Sequence, residues 1–116
     1  MVVSTTSLPN KIWLKLLDKF KTPYYAVIFT SVLKPSDSYG DMANKMEVLA
    51  KLQPGFLGVE SAREKVGITV SYWESLEAIK NWKENIEHKI AQQKGKEEFY
   101  QSYKVEICKV EKSYTF

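Results

Sequence analysis

The stretch Gly67-Ile-Thr-Val-Ser-Tyr-Trp73, followed by Ser75-Leu-Glu-Ala-Ile-Lys-Asn-Trp82, decides the fold. Its first half is rich in β-branched and aromatic residues, which predicts a strand over 67–73. Ser75 is a good helix cap, and Glu77 complements the positive end of a helix in its first turn. Leu76, Ile79, Trp82, Ile86 and Ile90 then recur at spacings of three and four, predicting a helix to about Gln92. The join carries two indoles, one closing the strand and one on the apolar stripe of the helix, and it marks where a ligand would sit.

The segments around this join complete a pattern. Tyr24–Leu33 is aromatic, β-branched and apolar on both alternations, so it reads as a strand that needs cover on both faces. Asp41–Leu52 reads as a helix with Met42, Met46, Leu49 and Ala50 on one face, stopped by Gln53-Pro-Gly55. Phe56–Arg63 is a second strand, joined to Gly67–Trp73 by the short Glu64-Lys-Val turn and therefore antiparallel to it. Lys94-Gly95 breaks the long helix, 96–101 allows a short further helix, and Tyr103–Val110 is a last strand with room to run on to Phe116. The order β-α-β-β-α-β predicts an α+β, ferredoxin-like antiparallel sheet with both helices on one face. The other face is apolar and needs a cover, and the same face of a second copy supplies it: a homodimer through the sheet.

Residues 1–22 stand outside this pattern. Ile12, Trp13, Leu16, Leu17 and Phe20 predict a short amphipathic helix in an N-terminal extension, ahead of a domain over 23–116. Within 1–20 there is no continuous apolar core or cleavage pattern of a signal peptide, so a cytoplasmic location is expected. The 116 residues are enough for one core, with 44% apolar and 27% charged content. Net charge is +3, from 17 basic and 14 acidic residues that are scattered rather than clustered. That argues against a nucleic-acid partner, and no apolar run is long enough for a membrane span. The single cysteine, Cys108, cannot pair within the chain and is expected to be a small buried apolar residue.

The blocks Pro23-Tyr-Tyr-Ala-Val-Ile-Phe-Thr30, Gln53-Pro-Gly-Phe-Leu-Gly-Val-Glu-Ser-Ala-Arg63, Gly67–Trp73, Trp82-Lys-Glu-Asn-Ile-Glu-His88 and Tyr103-Lys-Val together resemble the antibiotic biosynthesis monooxygenase superfamily of dimeric α+β-barrel proteins. The resemblance covers about residues 23–116. It implies a cleft between sheet and helices, lined by the second helix. Some relatives are cofactor-independent monooxygenases acting on polycyclic aromatic phenols, others degrade heme, and others have no assigned substrate, so the fold does not name the reaction. The heme branch uses a tryptophan on the second helix, a histidine ten residues later and an asparagine on the first strand. Trp82 matches the first, but Gln92 stands at the second position, and Phe29 and Thr30 lie near the third. Heme degradation therefore ranks low.

Three candidates for chemistry remain. Trp82 is a core aromatic that can also orient a substrate oxygen with its indole N–H. His88 is the one side chain with an ordinary pKa near neutrality. It lies about 240° around the helix from Trp82, which fits a surface histidine paired with Glu84 better than it fits a general base. Arg63 is the only arginine, which hints at bidentate use toward Glu60, Glu64 or a substrate oxyanion. Tyr25, Tyr72 and Trp73 are candidate substrate-binding residues on strands. Alternation puts Tyr72 with Ile68 and Val70, and Trp73 with Thr69 and Ser71, without saying which set faces the helices.

No phosphate loop, Ser-His-Asp arrangement, Cys/His metal spacing or dinucleotide fingerprint is present, so no cofactor or metal is expected. Two readings follow. One is a cofactor-independent monooxygenase that oxidises a small aromatic phenol or hydroquinone with molecular oxygen. In it His88 accepts the proton, Trp82 and Arg63 donate hydrogen bonds, and Tyr72 positions the ring. The other is a non-catalytic dimeric binding or scaffold domain.

Overall fold

A computed structural model of the chain describes residues 20–35, 39–92 and 99–116, with the backbone alone at 39, 41, 42 and 88–92. The predicted helix within 9–20 falls almost wholly on residues 1–19, outside the described ones. Strand β1 (Tyr24–Leu33) is followed by helix α1 (Tyr39–Lys51), strands β2 (Phe56–Arg63) and β3 (Gly67–Trp73), helix α2 (Leu76–Gln92) and strand β4 (Tyr100–Val110). The four strands form one antiparallel sheet in the order β2-β3-β1-β4. The ferredoxin-like βαββαβ arrangement of the sequence reading is the fold observed.

The last strand starts earlier than expected. Tyr100 already pairs with Leu33, so 100–101 belong to β4 and not to a short helix, and regular pairing stops at Val110 rather than running on to Phe116. Val110 pairs with Tyr24 at the start of β1, so the β1–β4 ladder ends there. Among the described residues no helix is long and apolar enough to cross a membrane.

Register decides the two faces. Tyr25 lies opposite Trp73 and Val27 opposite Ser71, and Tyr25 and Val27 pack on the core of Trp73, Ala78 and Ile79. The helix side of the sheet is therefore the Tyr25, Val27, Phe29, Ser31 alternation of β1, with Thr69, Ser71 and Trp73 of β3. Tyr24, Ala26, Ile28, Ile68, Val70 and Tyr72 point the other way, to the face opposite α1 and α2. Cys108 pairs with Ala26 on that face and is exposed, not buried as expected, because β4 is an edge strand with no layer over it.

Helix α2 is held at its start. Ser75 Oγ accepts the Ala78 N–H at 3.0 Å, the cap read from the sequence. The buried stripe differs by one position: Ala78 is buried and Leu76 is 54% exposed, since the helix turns its first residue outward before settling on the sheet. The β1-to-β2 side closes against this corner through Gly55. Its φ is +85°, and a Cβ there would meet the Ala78 Cβ at 2.7 Å, so this turn requires glycine twice over. The Gly55 carbonyl accepts the Glu74 N–H at 2.8 Å and ties both turns together. Gly55→Ala is expected to lower the unfolding free energy by about 1–3 kcal/mol. The urea midpoint reports it; an unchanged midpoint would remove this account of the corner.

Candidate functional site

Trp73 is fully buried and lies at the centre of the helix–sheet interval. Trp82 stacks on it with ring centroids 6.0 Å apart and planes 25° from parallel, and Phe56 meets it edge-on at 5.4 Å. The Trp73 indole N–H donates to Ser71 Oγ at 2.9 Å, so its polar edge is already satisfied within β3. Three rings thus fill the interval at the β3 end. Tyr25 packs beside them, which brings three of the predicted residues, Tyr25, Trp73 and Trp82, into one cluster.

The β1/β4 half of the helix side is different. Register places Tyr103, Val105 and Ile107 there, opposite Ser31, Phe29 and Val27. They remain 45%, 48% and 52% exposed. Phe29 stacks on Tyr103 with centroids 5.5 Å apart, and Tyr100 meets both rings at 5.3 and 5.7 Å. The result is an aromatic and aliphatic shelf beside the filled interval. No single signal in the sequence separates this half from the other, because both read as alternating apolar strand.

At the far end of the shelf lies Arg63. Its guanidinium donates to the Ser31 carbonyl at 3.3 Å and to Ser31 Oγ. To get there it crosses β3 above Gly67, where a Cβ would overlap the guanidinium. These contacts tie β2 to β1 across β3. Gly67 and Trp73 are six residues apart on β3, about 20 Å, so Arg63 and Trp82 occupy opposite ends of the helix side. A shallow recess of about 240 Å³ at this end of β1 and β4 is lined by Thr30, Ser31, Val32, Ser102, Tyr103 and Lys104; alternation puts Thr30, Val32, Ser102 and Lys104 on the face opposite the helix side, so the recess is not part of the shelf. It meets the predicted set only through Ser31, which Arg63 holds.

Tyr72 is separated from all of these by the sheet. On the face opposite α1 and α2 its hydroxyl donates to Glu60 Oε1 at 2.7 Å. Its ring packs with Tyr24 at 6.0 Å and Phe20 at 5.9 Å. Burial first, then the hydrogen bond and negative charge of Glu60, push the Tyr72 phenol well above its ordinary pKa. A hydroxyl that resists ionisation is a hydrogen-bond donor and not a base. The His88 backbone lies in α2, six residues and about 9 Å along the axis from Trp82; its side chain lies outside the described residues.

One residue of α2 was not singled out from sequence. Asn85 sits one turn after Trp82 on the sheet-facing side, and its Oδ1 is buried with no hydrogen-bond partner. In sequence it looks like one more polar helix residue; only the orientation of the helix shows that it points inward. Among the described residues no three His, Cys, Asp or Glu side chains come together in a way that could hold a metal.

The fold and the site define a ferredoxin-like α+β domain with an aromatic-lined helix side. No protein-family model matches the chain. Over 97 residues it is 52% identical to the uncharacterised protein YqjZ of Bacillus subtilis, covering 81% of this chain and 85% of that one. The chain belongs to the family of YqjZ. Among solved structures it is similar to PA3566 of Pseudomonas aeruginosa, with a TM-score of 0.57 and 16% identity over 83% of this chain and 100% of that one. It is also similar to NE2512 of Nitrosomonas europaea, a protein of unknown function, with a TM-score of 0.58 and 10% identity over 79% and 93% of the two chains. At such identities the likeness is one of fold.

The raised Tyr72 pKa has a definite sign. The folded state holds the phenol proton above the unfolded pKa of about 10, so the stabilisation is complete below that pH and is lost as pH rises further. The melting temperature of the native chain is expected to fall more steeply above about pH 10 than that of Tyr72→Phe. Parallel curves for the two proteins would show that folding does not hold the proton on the Tyr72 phenol.

Proposed function

We propose that the protein binds a small aromatic phenol or hydroquinone on the helix side of its sheet and oxidises it with molecular oxygen, without a resident cofactor. The observation that carries this reading is the shelf of Tyr103, Val105 and Ile107, apolar and about half exposed beside Phe29. An aromatic ring laid there gains apolar burial and ring contacts, while α2 supplies one wall. In the chemistry proposed for an anthrone-type member of this class, whose keto tautomer carries a ring methylene, that methylene loses a proton to a base. The carbanion-like ring then reacts with oxygen. One oxygen atom stays as a carbonyl, the other leaves as water, and both methylene hydrogens are lost.

His88 on α2 is the proposed base and Trp82 the proposed hydrogen-bond donor, with Tyr25 and Trp73 as the packed support behind it. Arg63 stands at the other end of the shelf and would meet an oxyanion of an elongated, polycyclic molecule only. Tyr72, across the sheet, takes no part in the same contact. The filled interval of Trp73, Trp82 and Phe56 favours a second reading, a binding or scaffold domain without catalysis.

Oxygen consumption with anthrone-like and hydroquinone substrates, in metal-free buffer, separates the two. Protein-dependent uptake is expected to fall at least about tenfold in His88→Ala and in Trp82→Phe. Full uptake in both variants would remove these roles, and binding without uptake would favour the second reading.

The face opposite α1 and α2 is the proposed dimer interface, since Ile28, Ile68 and Val70 form an apolar strip there. Ile28→Asp would bury an unpaired charge in such an interface and is expected to yield monomer in light scattering at micromolar concentration. A variant of unchanged mass would place the interface elsewhere.

A further inference from the structure

We infer that Asn85 is the polar anchor of the helix-side ligand, and that the ligand carries a hydroxyl which donates a hydrogen bond to Asn85 Oδ1. This rests on the reading above, that an aromatic molecule binds on the helix side, and adds which group of that molecule the protein recognises.

The starting point is an unmade bond. Asn85 Oδ1 is buried and accepts nothing. A buried acceptor without a partner loses its hydration and gains no replacement, so such groups are rare and ask for an explanation. The neighbours of Asn85 on the same side of α2 are Ala78, Ile79, Trp82 and Ile86, all buried or half-buried. A leucine at 85 would continue that stripe at no polar cost. Residues on the outward side, such as Asn81, Lys83 and Glu84, are exposed and carry the polar surface of the helix. The asparagine is therefore at the one described position of this stripe where a polar side chain has no structural partner.

The position also fits a ligand. Asn85 lies three residues after Trp82, so the two side chains are neighbours along the helix surface. A ring placed against the Trp82 indole brings its substituents within reach of the next turn. An amide carbonyl accepts and does not donate through oxygen, so the complementary substituent is a donor. On an aromatic ring that is a phenolic hydroxyl. A site built around such an acceptor discriminates strongly against the analogue lacking the hydroxyl, because the acceptor then stays unpaired in the complex.

The test compares α-naphthol with α-fluoronaphthalene, which is close in shape but has no donor, by calorimetric titration of the full chain. Wild type is expected to bind the naphthol at least about tenfold more tightly. Asn85→Leu is expected to abolish that preference while keeping the fluoro compound's affinity, and to melt no lower than wild type, since no internal hydrogen bond is lost. Equal affinities in wild type, or a preference that survives in Asn85→Leu, would overturn the assignment of Asn85 and leave aromatic binding standing. A lower melting temperature in Asn85→Leu with the preference retained would mark Asn85 as a structural residue satisfied by water, which also overturns it. Binding of neither compound to wild type would overturn the aromatic reading together with this one.

Discussion

The stack of Trp82 on Trp73 is the contact on which the rest of the structure depends. Trp73 ends β3 and is fully buried; Trp82 stands two turns into α2. Holding those indoles together presses the helix onto the β3 side of the sheet. Phe56 and the Gly55 turn close around the same pair, because Gly55 can approach Ala78 with no side chain in the way. One aromatic contact thus sets the position of a helix, the path of a loop and the start of β2.

The same contact explains why the helix side is divided. With α2 drawn over β3, the described residues leave Tyr103, Val105 and Ile107 of β4 about half exposed. Ring contacts among Phe29, Tyr100 and Tyr103 order that half internally without covering it. A protein that buries its largest side chains at one end of a two-layer fold and displays rings at the other has separated stability from recognition. The orphaned carbonyl of Asn85 is consistent with that division, since the polar atom stands next to the filled region and not within its packed centre.

The opposite face follows a different logic. Tyr72, Tyr24 and Phe20 pack as rings, and the one strong polar contact among them, Tyr72 to Glu60, is made within the chain. A hydroxyl and a carboxylate satisfied by each other can be covered by an apolar partner at little further desolvation cost. The Arg63–Ser31 bond does the comparable work on the helix side, fixing a long charged side chain across β3 above a glycine.

Much of the fold was legible in the chain. The boundaries of β1, β2 and β3, the cap at Ser75 and the extent of α2 follow from side-chain period, β-branching and turn residues, which are local properties. The candidate site was legible in its residue types but not in its grouping. Alternation established that Tyr72 and Trp73 lie on opposite faces, yet the face that received the helices was decided by the Trp73–Trp82 contact across the layer. Cys108 looked internal because its neighbours are apolar; its exposure comes from β4 being an edge strand, a fact of strand order. The reach of Arg63 to Ser31 depends on β1 lying beside β3, which the residues around Arg63 do not announce. Asn85 was invisible for the same reason. The sequence by itself determined which segments are strands and helices and which residues alternate together, because those depend on bonds between near neighbours. Tertiary structure alone decided which face is filled, which half is open and which polar atom lacks a partner, because those depend on where segments distant in sequence meet.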